Sequence, residues 1–213
     1  MEIINSFELL FENLLQLYNE DNSKPCVIII AGLSRSGKST LTNELTKCFS
    51  EYSINISVVR LDSWLIDVDK RKEGSTVAER YDIDEINNAI NDLLKGKSIY
   101  PPIYNQITRK RIEGEFDKPI KFTNGILIIE GVIALSNSKI REKGTRSIYV
   151  DIDNLLRLKR LIFFYKNIKN LSKVNYKKII FDRETEETPF IKKTSDLAQI
   201  IFKWPVDNNI QIT

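Results

Sequence analysis

Eight residues, Gly32-Leu33-Ser34-Arg35-Ser36-Gly37-Lys38-Ser39, fit the pattern G-x-x-x-x-G-K-[ST]. Each type in that pattern has a physical reason. Glycines let the backbone curl until successive N–H groups face the oxygens of a phosphate. A helix beginning at the end of the loop adds its positive N-terminus. A lysine reaches the outer phosphates as a point charge, and a serine hydroxyl can ligate Mg²⁺. Gly32, Ser34, Arg35, Ser36, Gly37, Lys38, Ser39 and Thr40 are therefore the candidate nucleotide-binding residues. Two carboxylates join them. Asp62 follows an apolar run and either caps a turn or accepts the proton of an attacking hydroxyl. Glu130 ends the run Ile126-Leu127-Ile128-Ile129, where an acidic group needs a partner, and is placed with Ser39 to hold Mg²⁺ or its waters.

The elements that must position these residues follow from pattern. Residues 26–31 form a short β-branched run of the kind buried on both faces of a parallel sheet, and 40–49 form a helix. Residues 54–61 supply a second strand, and 125–130, 147–152 and 198–202 three more. Apolar stripes predict helices at 3–18, 82–95, 154–167 and 175–183, with Gly96 stopping the second of these. The stretch 63–81 is polar and is expected to be irregular or partly helical. Residues 98–104 and 108–116 suggest a β-hairpin whose first strand is kept at an edge by Pro101-Pro102. Strand and helix alternate without repeats or a linker. The expectation is one α/β domain over 1–213, a P-loop three-layer fold with a parallel sheet covered on both faces. An N-terminal helix at 1–22, a hairpin lobe at 98–116 and a lid at 163–175 are appended to it.

Composition narrows the chemistry. The 213 residues include no histidine, which removes histidine bases, Ser-His triads and most zinc sites. Two cysteines, Cys26 and Cys48, make no disulfide framework and fit a reducing cytoplasm. A net charge of +3 is too small and dispersed to argue for nucleic acid. Residues 1–19 carry Glu2, Glu8 and Glu12 and do not resemble a signal peptide, and no stretch is long enough to span a membrane. The expected partner is a small molecule, with no nucleic acid and no membrane. Nothing indicates an oligomeric state.

Further segments carry a resemblance, in chain order: Leu61-Asp62-Ser63-Trp64, Tyr81-Asp82-Ile83-Asp84, Pro102-Ile103-Tyr104, Ile129-Glu130-Gly131-Val132 and Val150-Asp151-Ile152-Asp153 through Arg157-Leu158-Lys159-Arg160. With the P-loop they span residues 25–165, and the chain resembles the uridine kinase, phosphoribulokinase and bacterial pantothenate kinase family, closest to uridine kinases. The resemblance implies transfer of a phosphoryl group from ATP, with Mg²⁺, to a hydroxyl of a nucleoside, sugar or anionic metabolite. It makes Asp62 the base and Glu130 the carboxylate near Mg²⁺. Lys38, Arg157 and Arg160 would stabilise the transferred group, and Tyr81, Asp82 and Tyr104 would line the acceptor pocket. From residues alone, Arg157 and Arg160 equally suit an exposed helix face, being three apart.

The chain departs from the uridine kinase pattern in two places. Where those enzymes place an aromatic residue and a histidine to read a pyrimidine, Gln106 and Arg109 stand here. The lid segment, from Phe163 to Asn170, carries lysines and no arginine. Arg109, Lys110, Arg111, Arg80 and Lys70-Arg71-Lys72 either form a solvated charged surface or receive an anionic acceptor, Arg109 among its contacts. A nucleotide switch is the alternative from another class. A GTPase needs a guanine-reading Asn-Lys-x-Asp motif, and the sequence has none.

Overall fold

The structure, a computed structural model, describes residues 1–20 and 24–205. Among the described residues, ten strands and seven α-helices follow one another along the chain. The central sheet contains β1 (Glu2–Ile4), β2 (Cys26–Gly32), β3 (Ile56–Arg60), β8 (Ile126–Glu130), β9 (Arg146–Asp151) and β10 (Ile200–Lys203), in the spatial order β1-β10-β9-β2-β8-β3. Every neighbouring pair in it is parallel. Strands β2 and β8 are neighbours inside the sheet, each flanked on both sides, and are buried along their whole length, which explains their unbroken apolar runs.

Alternation divides their side chains between two cores. Val27, Ile29, Ala31, Leu127 and Ile129 face one side, where α3 (Ile83–Leu94) covers them with Ile86, Ile90 and Leu93. Cys26, Ile28, Ile30, Ile126 and Ile128 face the other. There α1 (Phe7–Glu20) contributes Leu10 and Leu14, and α2 (Lys38–Glu51) contributes Leu41, Leu45 and Phe49. The result is the expected three-layer α/β fold with helices on both faces.

The chain start differs from the helix anticipated at 3–18. Glu2–Ile4 pairs in parallel with Ile200–Phe202, and the helix begins at Phe7. Ile4 is 1% exposed and Ile3 58%, the alternation of an edge strand. The hairpin region also differs. It holds two antiparallel pairs, β4 (Ser98–Ile99) with β7 (Ile120–Lys121), and β5 (Pro102–Asn105) with β6 (Lys110–Phe116). Residues 21 and 22 of the expected N-terminal helix lie outside the described residues.

The polar stretch after β3 consists of short 3-10 turns at Leu61–Trp64, Val68–Lys70 and Ala78–Arg80. Arg111 anchors the β5–β6 hairpin to it: its guanidinium donates to Trp64 O at 3.1 Å, Leu65 O at 3.1 Å and Glu85 Oε2 at 2.8 Å. The Arg111 amide also donates to Asp67 Oδ1 at 2.7 Å. The helices α5 (Asn154–Phe163), α6 (Lys173–Asp182) and α7 (Thr188–Lys193) follow β9, and π-helical turns at Phe164–Ile168 and Arg183–Glu187 interrupt them. The short α4 (Ser138–Arg141) leads into β9.

Strand placement of the chain start gives a direct test. Ile4→Ala is expected to destabilise the protein by about 2–5 kcal/mol, whereas Ile3→Ala changes stability by less than about 0.5 kcal/mol. Denaturant midpoints of the two variants check this, and equal effects would argue against the strand.

Candidate active site

A cavity of about 800 Å³ opens at the carboxyl ends of β2, β3 and β8, the end of a parallel sheet where ligands gather. That size suits a nucleotide polyphosphate with a small acceptor.

The phosphate loop forms its floor. Backbone φ is 65° at Arg35 and 96° at Gly37, so the chain curls between strand and helix. Ser36 N donates to Leu33 O at 3.1 Å, while the amides of Ser34, Arg35 and Gly37 make no backbone hydrogen bond among the described residues. A curl with unspent donors is an anion nest. Its glycines are sterically required. A Cβ on Gly32, at φ 146°, would meet Val150 O at 2.5 Å and Ser36 Oγ at 2.9 Å; one on Gly37 would meet Trp204 Nε1 at 2.5 Å. The Ser36 hydroxyl is fully buried and has no partner among the described residues. Lys38 donates to Leu33 O at 2.9 Å, so its ammonium lies folded over its own loop. Burial pushes the Lys38 pKa down, opposed by the nearby Asp62 and Glu130. Ser34, Ser39 and Thr40 line the same floor.

Glu130 sits beside the loop, 4% exposed. Its Oε1 accepts from Ser39 Oγ at 3.2 Å and pairs with Arg60 Nε at 3.0 Å, and its Oε2 accepts from Thr42 Oγ1 at 2.9 Å. Parallel register sets this up, because Arg60 and Glu130 are directly opposed on β3 and β8. In the sequence Arg60 is an isolated charge at a strand end; only strand register reveals its partner. Ser39 and Glu130 converge as a hydroxyl and a carboxylate, the hard oxygen ligands that Mg²⁺ favours. The unspent amides, the orphaned Ser36 hydroxyl and this oxygen pair fit Mg²⁺ with a nucleoside triphosphate.

Asp62 stands in the turn directly after β3. Tyr81, buried, donates its hydroxyl to Asp62 Oδ1 at 3.1 Å. Burial drives the Tyr81 pKa well above its usual value and Asp62 adds to the rise, so the phenol keeps its proton and the carboxylate keeps its donor. Tyr104 and Arg109 line the cavity from β5 and the hairpin tip, and Arg160 lines it from α5.

Two candidate residues lie elsewhere. Asp82 caps α3, accepting from Glu85 N at 3.0 Å, and does not line the cavity. An acidic residue just before a helix is an N-cap by default. Arg157 is 2% exposed and turned away from the cavity. It donates to Asn154 Oδ1 at 2.9 Å and pairs with Glu184 Oε2 at 2.5 Å, tying α5 to the turn after α6.

The segment expected to form a lid packs against the loop. The Arg35 guanidinium lies 3.6 Å from the centroid of the Phe164 ring, and Lys169 donates to Gln106 O at the hairpin tip. A basic fork absent from residues 163–170 enters instead from the end of α6: Arg183 lines the cavity and pairs with Glu187 Oε1 at 3.5 Å. Its distance in sequence from the lid concealed it.

Comparison with known proteins agrees with this geometry. The family model of the phosphoribulokinase/uridine kinase family matches residues 27–211. The chain belongs to that family. Its members are kinases, phosphotransferases with an alcohol group as acceptor. A uridine kinase of Macrococcus caseolyticus is 32% identical over 151 residues, 66% of this chain and 68% of that one. A uridine kinase of Staphylococcus aureus is 32% identical over 139 residues, covering 63% and 65%. This chain thus aligns with about two thirds of each relative. The structure of a possible uridine kinase from Bacillus stearothermophilus has a TM-score of 0.61 at 24% identity, over 92% of this chain and 96% of that one, and shares the fold. Among the described residues, no helix is long and apolar enough to cross a membrane.

The contrast between the two arginines of α5 is testable. Arg157→Leu should lower stability by about 1–3 kcal/mol, through loss of its buried partners, and leave nucleotide affinity near wild type. Arg160→Leu should do the reverse. Denaturation and nucleotide titration of both variants decide the matter, and weakened nucleotide binding in the Arg157 variant alone would overturn the assignment.

Proposed function

We propose that the protein transfers the terminal phosphoryl group of ATP, with Mg²⁺, to a hydroxyl of a small molecule, in keeping with a cytoplasmic setting. The observation that carries this is the convergence, in one cavity, of the loop nest, Lys38, the Ser39–Glu130 oxygen pair and Asp62. The family and the unspent loop donors support ATP as the phosphoryl donor.

The loop amides from Ser34 to Thr40 hold the polyphosphate, and the Lys38 ammonium leaves Leu33 O for the outer phosphates. Ser39 and Glu130 hold the metal or its waters. Mg²⁺, when bound, supplies charge neutralisation on the phosphate oxygens. Asp62 accepts the acceptor's hydroxyl proton on its carboxylate, while the Tyr81 hydroxyl fixes the orientation of that carboxylate through Oδ1. Arg160 and Arg183 offset charge on the transferring group. Tyr104 and Arg109 border the acceptor side. The Phe164 lid, stacked on Arg35, excludes water that would otherwise accept the phosphoryl group.

Asp62→Asn is expected to keep Mg–ATP affinity and lower turnover by roughly 10²-fold or more. Coupled ADP release and a nucleotide titration measure the two quantities. Turnover near wild type would remove Asp62 from the base role.

A further inference from the structure

Some of the basic residues around the cavity are neutralised by carboxylates. Lys70 pairs with Asp67 at 2.8 Å, Lys110 with Asp69 at 2.5 Å and Arg111 with Glu85 at 2.8 Å. Arg80 pairs with Glu186 at 2.9 Å. Those facing the acceptor side are not. Arg71, Arg109 and Lys169 line the cavity, and none has a carboxylate within 4.0 Å among the described residues.

Arg71 is the most constrained of the three by hydrogen bonds. It is half-buried after the Val68–Lys70 turn. Its Nε donates to Ile66 O at 2.8 Å and its Nη2 to the Tyr104 hydroxyl at 3.0 Å, while Nη1 has no partner among the described residues. Two hydrogen bonds thus fix the plane of a guanidinium whose remaining donors are free. Burial pushes the Arg71 pKa down and the nearby Arg109 pushes it further, against the pull of Tyr104. Lys169 is likewise lowered by burial, then by Arg109, Arg183 and Arg35. Like charges gathered without a counter-ion are held at a cost.

The whole cavity carries ten basic side chains against five acidic ones. A magnesium–triphosphate complex, partly neutralised by its own metal, does not consume that surplus. The triphosphate sits at the loop, whereas Arg71, Arg109 and the Gln106 contact of Lys169 lie on the hairpin side.

We infer that the acceptor is itself an anion, a small hydroxyl compound bearing a phosphate or carboxylate, whose charged group is received by Arg71, Arg109 and Lys169 while its hydroxyl faces Asp62. A planar, fixed guanidinium is suited to bidentate recognition of either oxyanion. This selects against a neutral nucleoside and explains why cations, with no histidine, occupy the hairpin tip. The inference rests on the kinase reading for the position of the hydroxyl alone; the anion site can be tested without turnover.

The test uses the full chain saturated with Mg²⁺ and a non-hydrolysable ATP analogue, which fills the loop, and follows the thermal unfolding midpoint. Inorganic phosphate, erythronate and the neutral erythritol are titrated separately. Phosphate or erythronate should raise the midpoint in a saturable manner, and erythritol should not. The stronger of the two anions tells phosphate from carboxylate. Arg71→Ala should weaken that anion by roughly ten-fold or more. Arg109→Asn, which keeps a residue tolerant of the left-handed backbone at φ 60°, should weaken it as well. Erythritol protecting as well as erythronate, or wild-type anion affinity in both variants, would overturn the inference. Failure of the ATP analogue itself to raise the midpoint would instead count against the kinase reading, and the two variants would still decide the anion site.

Discussion

One buried carboxylate ties the nucleotide loop to the rest of the sheet. Glu130 ends the inner strand β8 with its side chain almost wholly removed from water, a state tolerated only with partners. Two of them, Ser39 and Thr42, belong to the first turns of the helix that follows the loop, and the third, Arg60, comes from the neighbouring strand. The contact therefore locks three elements at the same end of the sheet. Arg60 lies two residues before Asp62, so the constraint that holds the metal-side oxygens also sets the origin of the turn carrying the candidate base. Tyr81 completes the chain by holding Asp62 from the opposite side.

Around this fixed floor, the cover is built from more adaptable pieces. The Phe164 ring on Arg35 and the Lys169 contact to the hairpin bridge the cavity from phosphate side to acceptor side. Phe164 opens a π-helical turn rather than continuing the regular helix before it, and such irregular segments are where functional sites commonly sit. The hairpin itself is anchored through Arg111, whose guanidinium is spent on backbone carbonyls and Glu85. Residues 163–169 and the hairpin thus meet at the cavity through the Lys169–Gln106 contact, beside a floor held by Glu130 and its partners.

Much of the frame was legible in the residues. The β-branched runs of β2 and β8, the glycine-framed loop and the strong stripe of α3 each carry a local signal that tertiary contacts reinforce. The edge strand Glu2–Ile4 was not legible, because three residues are too few for a period, and Ile3 falls in phase with the helix that follows. The pair β4–β7 was not legible for the same reason: two-residue strands leave no pattern, so Ser98–Ile99 reads as a continuation of the β5–β6 hairpin. Side-chain partners were the larger loss. Arg157 and Arg160 lie three apart on one helix, yet one is buried with Glu184 and the other faces the cavity, a distinction made by the turn after α6 and not by the helix. Among the basic residues near the hairpin, Arg111 and Lys110 are structural or rim charges while Arg71 and Arg109 face inward. Composition treats these as equivalent; pairing separates them.

The central claim is that this cavity passes a phosphoryl group from Mg–ATP to a hydroxyl, and mass-resolved incubation tests it most directly. The purified protein is supplied with Mg–ATP and a fractionated small-molecule extract, and both ADP and new products are followed. The account predicts a single new species, heavier than a component of the extract by one phosphoryl group and formed in step with ADP. ADP released with no phosphorylated product in any fraction, or ATP left intact throughout, would contradict it.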